Sequence, residues 1–413
     1  KLFENKGNTK FKDVSDESKV SLSDATDYRA TGCAWGDYNQ DGFLDLIVLR
    51  HAHEGNYYML QELDFKPWLR RLALFTNKGN GTFEDSTQIL GDIRGPKRIF
   101  EDDPFGNIWG TGFQPGWVDF DNDGDLDLYV VNDYGFHVQP NVLWRNDGME
   151  TKTNNWIFTD ISKESGVDAA ILGMGLAVGD YDLDGHFDFF ITNIGNQMLF
   201  HNTGKDMVFE ETTLDAGLEM SKLNYAAGVM DRVAWSTMFF DYDNDGLEDL
   251  YIVSGFLNLH ETERAFDVPA EMRLQPNVLM RNKGDSTFED KSNKSGADDN
   301  GIGRGGFYLD HNLDGCLDIF ITNLDGKAKL FQNTCTDNNW LVINPVGTTS
   351  NKDGVGTRIK ITADGKSQIR EIAAGSSSMG QNMMEAHFGL GKATKIDSIT
   401  LNWPSGIKQT LTD

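Results

Sequence analysis

Several things are scarce in this chain, and each scarcity narrows what it can do. Three cysteines in 413 residues neither require nor exclude an oxidising compartment. No apolar run reaches the roughly 20 residues that a membrane-spanning helix needs. The chain opens on Lys1-Leu2-Phe3, with neither Met nor a signal-like apolar stretch, and reads as a mature secreted or cell-surface chain without its signal peptide. Basic residues are few: 37 Lys and Arg against 64 Asp and Glu give a formal charge of -27, so neither nucleic acid nor an anionic membrane is expected as a primary partner. Catalytic signatures are missing as well. There is no Gly-x-Ser-x-Gly elbow, no His-Glu-x-x-His and no phosphate loop, so an enzyme is not expected.

What the chain does have is a nine-residue pattern repeated five times. In Asp119-Phe120-Asp121-Asn122-Asp123-Gly124-Asp125-Leu126-Asp127, acids stand at positions 1, 3, 5 and 9, and Gly at position 6 can take a positive φ. The other copies are Asp37/Asn39/Asp41/Asp45, Asp180/Asp182/Asp184/Asp188, Asp241/Asp243/Asp245/Asp249 and Asp310/Asn312/Asp314/Asp318. A backbone carbonyl at position 7 (Phe43, Asp125, His186, Leu247 and Cys316) completes an all-oxygen set that suits Ca²⁺, about five ions in all. Unlike an EF-hand, each ninth Asp runs straight into an apolar strand such as Leu46-Ile47-Val48. Turn-forming Asp, Asn and Gly alone explain single matches, but not five matches to one template.

The loops begin at residues 37, 119, 180, 241 and 310, a period of roughly 61 with two expanded intervals, in the range of propeller blades. A Gly-containing strand leads into each loop, an apolar strand leads out, a third strand ends in Asn, and the first four units add a fourth strand. An all-β propeller follows, residues 1 to 336, with six blades favoured and seven or five as alternatives. The N-terminal Leu2-Phe3-Glu4-Asn5 and Lys10-Phe11-Lys12-Asp13 form half a blade that needs C-terminal residues as partners. Residues 337 to 413 alternate as a small C-terminal β module, in which His387 reads as a buried structural imidazole.

The loops and their strands resemble the FG-GAP/VCBS calcium propeller repeats. The tail, with Asn339-Trp340-Leu341-Val342, Asn351-Lys352-Asp353-Gly354-Val355-Gly356-Thr357-Arg358-Ile359, His387-Phe388-Gly389-Leu390-Gly391 and Trp403-Pro404-Ser405-Gly406, resembles the ASPIC/UnbV domain. Together they resemble the cartilage acidic protein 1-like family, which implies a calcium-stabilised extracellular protein.

Long segments on the face opposite the metal loops gather cations and aromatics: His51, His53, Tyr58, Trp68, Arg71, Arg98, Trp109, His137, His260 and Arg264. Rings stack on sugars and Arg forks match carboxylate or sulfate, so an acidic glycan or protein ligand is expected there, and adhesion is the expected role. These loops could equally cover the ring, their cations paired with nearby acids. His51, His53, His137 and His260 could also assemble a transition-metal site. The alternatives are a calcium-dependent lyase or glycosidase acting on polysaccharide, and a self-associating subunit of a surface filament or matrix. In the fifth unit, Asp325-Gly326 predicts a two-residue type I′ turn. That register pairs Asp318 with Asn333 and brings Cys316 opposite Cys335 for a disulfide worth about 3 kcal/mol, leaving Cys33 a buried free thiol in the first blade.

Overall fold

The computed structural model describes residues 1–22, 28–52, 72–91, 111–136, 139–257, 268–324, 326–335 and 337–412. Strands dominate it, in antiparallel sheets that follow the chain in order. The first four blades have four strands each. They are Tyr28–Gly36, Asp45–Ala52, Leu72–Asn77 and Phe83–Asp85; Gly112–Val118, Asp127–Asn132, Val142–Glu150 and Asn155–Asp160; Leu176–Gly179, Asp188–Ile191, Met198–Asn202 and Phe209–Glu211; and Ala234–Phe240, Asp249–Ser254, Val278–Asn282 and Phe288–Asp290. A fifth sheet has three: Gly303–Leu309, Asp318–Asn323 and Lys329–Phe331. The fold is the β-propeller class read from the sequence.

Blades stack face to face, and this explains why their second strands are continuously apolar rather than alternating: both faces are covered. Every residue of Asp127–Asn132 and of Asp249–Ser254 is buried. Four core clusters each bridge two consecutive blades, and a further one fills the C-terminal module. Between the second and third, Phe189 is fully buried and meets Phe120, Tyr129, Phe200 and Phe209 at ring separations of 4.6 to 5.5 Å. Truncating such a residue costs about 3–5 kcal/mol. Fourth strands are outermost, and each buries only one residue, Phe83, Phe158, Phe209 or Phe288, while turning its acids outward.

First strands line the centre and approach closely enough to need glycine. A Cβ on Gly36 would lie 2.7 Å from Cγ of Trp117 in the next blade, and one on Gly175 would lie 2.1 Å from the carbonyl oxygen of Trp235.

The C-terminal module is a four-stranded sheet in the order Lys366–Glu371, Arg358–Ala363, Ser398–Asn402 and Lys408–Thr412, beside a pair made by Asn339–Ile343 and Ala386–Gly391. Between its strands, residues 373 to 383 enter the ring between the fifth and first blades. Trp35 N–H donates to the carbonyl of Ala374 at 2.7 Å. On the other side, Met383 N–H donates to Tyr308 O at 3.1 Å, while the hydroxyls of Ser236 and Ser377 meet at 2.7 Å.

C-terminal residues therefore do close the gap, yet not by the pairing foreseen. Among the described residues the N-terminal strands Phe3–Asn5 and Phe11–Asp13 pair only with each other. Their unit is held instead from the side: Phe83 N–H donates to Ser18 O at 3.0 Å, and Val20 packs with Phe75 and Phe83. The register of the last hairpin also differs from expectation by one residue. Ile319 faces Phe331 and Ile321 faces Lys329, one residue away from the register that a two-residue turn would set; Asp325 of the expected turn lies outside the described residues. The disulfide between Cys316 and Cys335 is present nonetheless, with Cα atoms 5.4 Å apart, because both cysteines lie beyond the regular pairing. Cys33 is a free thiol and is exposed rather than buried.

Candidate metal centres

The loops fold by hydrogen bonds that their own spacing dictates. The first Asp accepts from the N–H groups of positions 5 and 6: Asp119 takes those of Asp123 and Gly124 at 3.1 Å each, and Asp241 those of Asp245 at 3.1 Å and Gly246 at 2.7 Å. The fifth-position Asp accepts the N–H of position 7, as Asp41 does from Phe43 and Asp314 from Cys316. Position 6 glycines have φ between 79° and 97°. Sequence reading placed the left-handed residue only there, but position 4 is left-handed too: Gln40, Asn122, Leu183, Asn244 and Leu313 have φ of 57° to 65°.

Third-strand asparagines explain themselves in the same geometry. Asn77, Asn146, Asn202, Asn282 and Asn333 each donate a backbone N–H to the ninth-position Asp of their own loop at 2.7 to 2.9 Å. Four of them also send their side-chain amide to the second-position carbonyl of the preceding loop: Asn146 to Tyr38, Asn202 to Phe120, Asn282 to Tyr181 and Asn333 to Tyr242. One residue thus orients the carboxylate and latches neighbouring blades.

Donor atoms of Asp119, Asp121 and Asp127, of Asp180, Asp182 and Asp188, and of Asp241, Asp243 and Asp245 lie within 4.8 Å of one another. Carboxylates packed so closely repel. Burial and mutual repulsion push Asp45, Asp188 and Asp241 up to about 8 and Asp180 to about 7. Asp37 and Asp119 rise to about 6, and Asp127 and Asp249 also rise strongly. Buried oxygens are left without hydrogen-bond partners, Oδ2 of Asp45, Oδ1 of Asp125, Oδ1 of Asp180 and Oδ2 of Asp188 among them. An oxygen-rich centre with orphaned carboxylate oxygens fits a metal ion. Three such clusters could hold one; Asn39 and Asn312 leave the first and fifth loops with fewer carboxylates, and neither forms such a group among the described residues.

Two side chains that the sequence did not flag also reach these loops from the residue before each asparagine. Arg281 donates from Nε to Asp243 at 2.8 Å and from Nη2 to Asp245 at 2.5 Å. His201 Nδ1 lies 3.4 Å from Asp182 and 3.3 Å from Asp188. The signal was available in the varied residue preceding Asn at Thr76, Arg145, His201, Arg281 and Gln332. The side chain of His186 points elsewhere, pairing with Asn122 at 2.9 Å.

The C-terminal module sits on the metal-loop face and touches every loop. Arg358 donates to the carbonyls of Asp119 at 3.1 Å and Gly185 at 2.8 Å. Arg370 pairs with Glu248 at 3.3 Å, Gly391 N–H donates to Asn244 O at 2.8 Å, and Thr349 O abuts Gly42. His387 is buried; its Nε2 donates to Gly315 O at 3.0 Å, and burial pushes its ring down to about 4. Beneath, Trp117, Glu248, Arg370, Glu371 and Asn382 line a cavity of about 90 Å³ in the central channel.

On the opposite face, His51 is held rather than presented: Nε2 lies 3.2 Å from Asp133, and Phe113 and Tyr134 flank its ring. His53, Tyr58, Trp68, Arg71, Arg98, Trp109, His137, His260 and Arg264 lie outside the described residues. The described part of this face carries a hairpin, Lys222–Tyr225 with Gly228–Asp231, and a short 3₁₀ turn at Ala270–Arg273 tied to it by Tyr225 Oη to Leu274 O at 2.5 Å.

Residues 119–191 match the family model for the FG-GAP-like repeat, and residues 347–413 that for ASPIC and UnbV. Cartilage acidic protein 1 of Xenopus tropicalis is 27% identical over 297 residues, covering 69% of this chain and 40% of the relative. The human protein of that name is 25% identical over 340 residues, covering 70% and 50%. The chain thus spans half or less of the length of these relatives. Among solved structures, an Agrocybe aegerita lectin that recognises non-reducing terminal N-acetylglucosamine aligns at a TM-score of 0.36 and 15% identity, over 80% of this chain and 74% of that one, too slight a likeness to carry an argument. No described helix is long and apolar enough to cross a membrane. The chain carries an FG-GAP-like repeat and a C-terminal ASPIC and UnbV domain, and it resembles cartilage acidic protein 1 in sequence.

Proposed function

We propose that this protein is an extracellular, non-enzymatic binding or adhesion scaffold, stabilised by about five Ca²⁺, that presents the face opposite its metal loops to an acidic glycan or protein ligand. The observation that carries the reading is the use of the two faces. The C-terminal module contacts all five loops, through Arg358, His387, Gly391 and Thr349 among others, so it occupies part of that face and leaves the other end to partners. Loops on a rigid scaffold are where binding residues concentrate. Calcium here is structural, since each loop joins two strands of one sheet and has no helix pair to open. Binding to an array of acidic glycans in calcium, abolished by EDTA, is the expected outcome. Turnover of an acidic polysaccharide, seen as new reducing ends or unsaturated product, would replace the scaffold with an enzyme.

A further inference from the structure

We propose that the third loop, one of the five assigned above to Ca²⁺, is instead a mixed nitrogen and oxygen site that takes a first-row transition ion of the zinc class, set apart from the four hard-cation loops by His201. The donors come from the loop that joins the first and second strands of this blade, and from its second and third strands. Asp180, Asp182 and Asp188 gather their oxygens within 4.8 Å, and Asp182, Asp184 and His201 do the same around an imidazole nitrogen. No other loop forms such a group with nitrogen among the described residues.

The contacts have the form of a coordination shell rather than of hydrogen bonding. His201 Nδ1 is buried and makes no hydrogen bond, although it lies 3.4 Å from Asp182 Oδ2 and 3.3 Å from Asp188 Oδ1. A tetrahedral shell with bonds of about 2.1 Å has donor-to-donor edges of about 3.4 Å, the spacing seen here. A second observation points the same way. Asp188 is fully buried and Asp180 is 1% exposed, yet Oδ2 of Asp188 and Oδ1 of Asp180 have no partner. A buried carboxylate oxygen without a donor calls for a cation.

The corresponding contacts elsewhere differ in kind. In the fourth loop the same strand position is Arg281, whose guanidinium already donates to Asp243 and Asp245. In the fifth loop His311 hydrogen-bonds Asp318 through Nδ1 at 2.5 Å, which uses up the nitrogen. Imidazole suits Zn²⁺, Cu²⁺ and Ni²⁺, whereas Ca²⁺ is bound through oxygen, so one nitrogen among carboxylates shifts preference toward the transition ion.

The test is calorimetric titration of ZnCl₂ into the full chain in excess calcium, with X-ray absorption of the zinc-loaded protein. One zinc equivalent should bind, with one imidazole nitrogen in an otherwise oxygen shell. His201→Gln should weaken zinc at least tenfold and leave the calcium-loaded melting temperature in place, whereas Gln332→Ala, at the same strand position of the fifth unit, should change neither. Absence of zinc binding in calcium, an all-oxygen shell in the wild type, or zinc affinity unchanged by His201→Gln would each overturn the assignment. The absorption readout needs no variant, so a misfolded substitution does not decide the matter.

Discussion

Leu313 occupies the fourth position of the last loop with φ of 60° and is 84% exposed. A leucine there carries the steric cost of the left-handed region with no packing to offset it, whereas Asn tolerates that region, as Asn122 and Asn244 do in their loops. Leu313→Asn should therefore stabilise by about 1 kcal/mol, read as a higher urea midpoint in calcium with an unchanged slope. His387 makes a prediction about pH. Burial lowers its folded pKa to about 4, below the ordinary value near 6.5. The unfolded chain then binds the extra proton, so this ring's contribution is complete above about pH 6.5 and is lost as pH falls toward 4. Thermal melts from pH 7 down to 4.5 should fall less steeply for His387→Gln than for the wild type. Parallel curves would show that the ring's burial is not felt.

At the scale of the element, the loops are alike in template and unlike in surroundings. Counting acids alone makes the first and fifth loops, with Asn39 and Asn312, the weakest and leaves the other three equal. The structure separates those three, because Arg281 donates to two carboxylates of the fourth loop and competes with any ion there. Arg281→Ala should raise calcium affinity at one site by roughly tenfold, about 1.4 kcal/mol, in a calcium titration followed by calorimetry. The arginine is a third exposed on its side chain, so solvent screening keeps the effect modest. No gain in affinity would show that the guanidinium moves aside freely.

For the whole molecule, the ring and the C-terminal module behave as one assembly. Arg358 is buried against Phe187 and donates to carbonyls in the second and third loops, two blades that the module thereby ties together. Arg358→Ala should cost about 1–3 kcal/mol, since it strands two carbonyl groups, and should lower the urea midpoint in calcium. A variant as stable as the wild type would mean that the module rests on the loops without bracing them.

Much of this architecture is local and was therefore legible in the chain. A metal loop places its carboxylates within nine residues, and a strand buried on both faces announces itself by an unbroken apolar run, so the loops, most strand limits and the propeller class could be read from residues 28 to 331. The asparagine ending each third strand was visible as a repeat, though its double task was not. What tertiary structure alone decided lies between distant segments. His201 and Arg281 reach their loops only because the third strand pairs beside the second, and residues 373 to 383 fill the gap between the fifth and first blades across some 300 residues of chain. The last hairpin shifted by one residue for the same reason: its register answers to Asn333 on Asp318 and to Asn333 on Tyr242 as well as to its own turn. Ring closure and sheet register depend on contacts between segments far apart in the chain, and no nearby spacing encodes them.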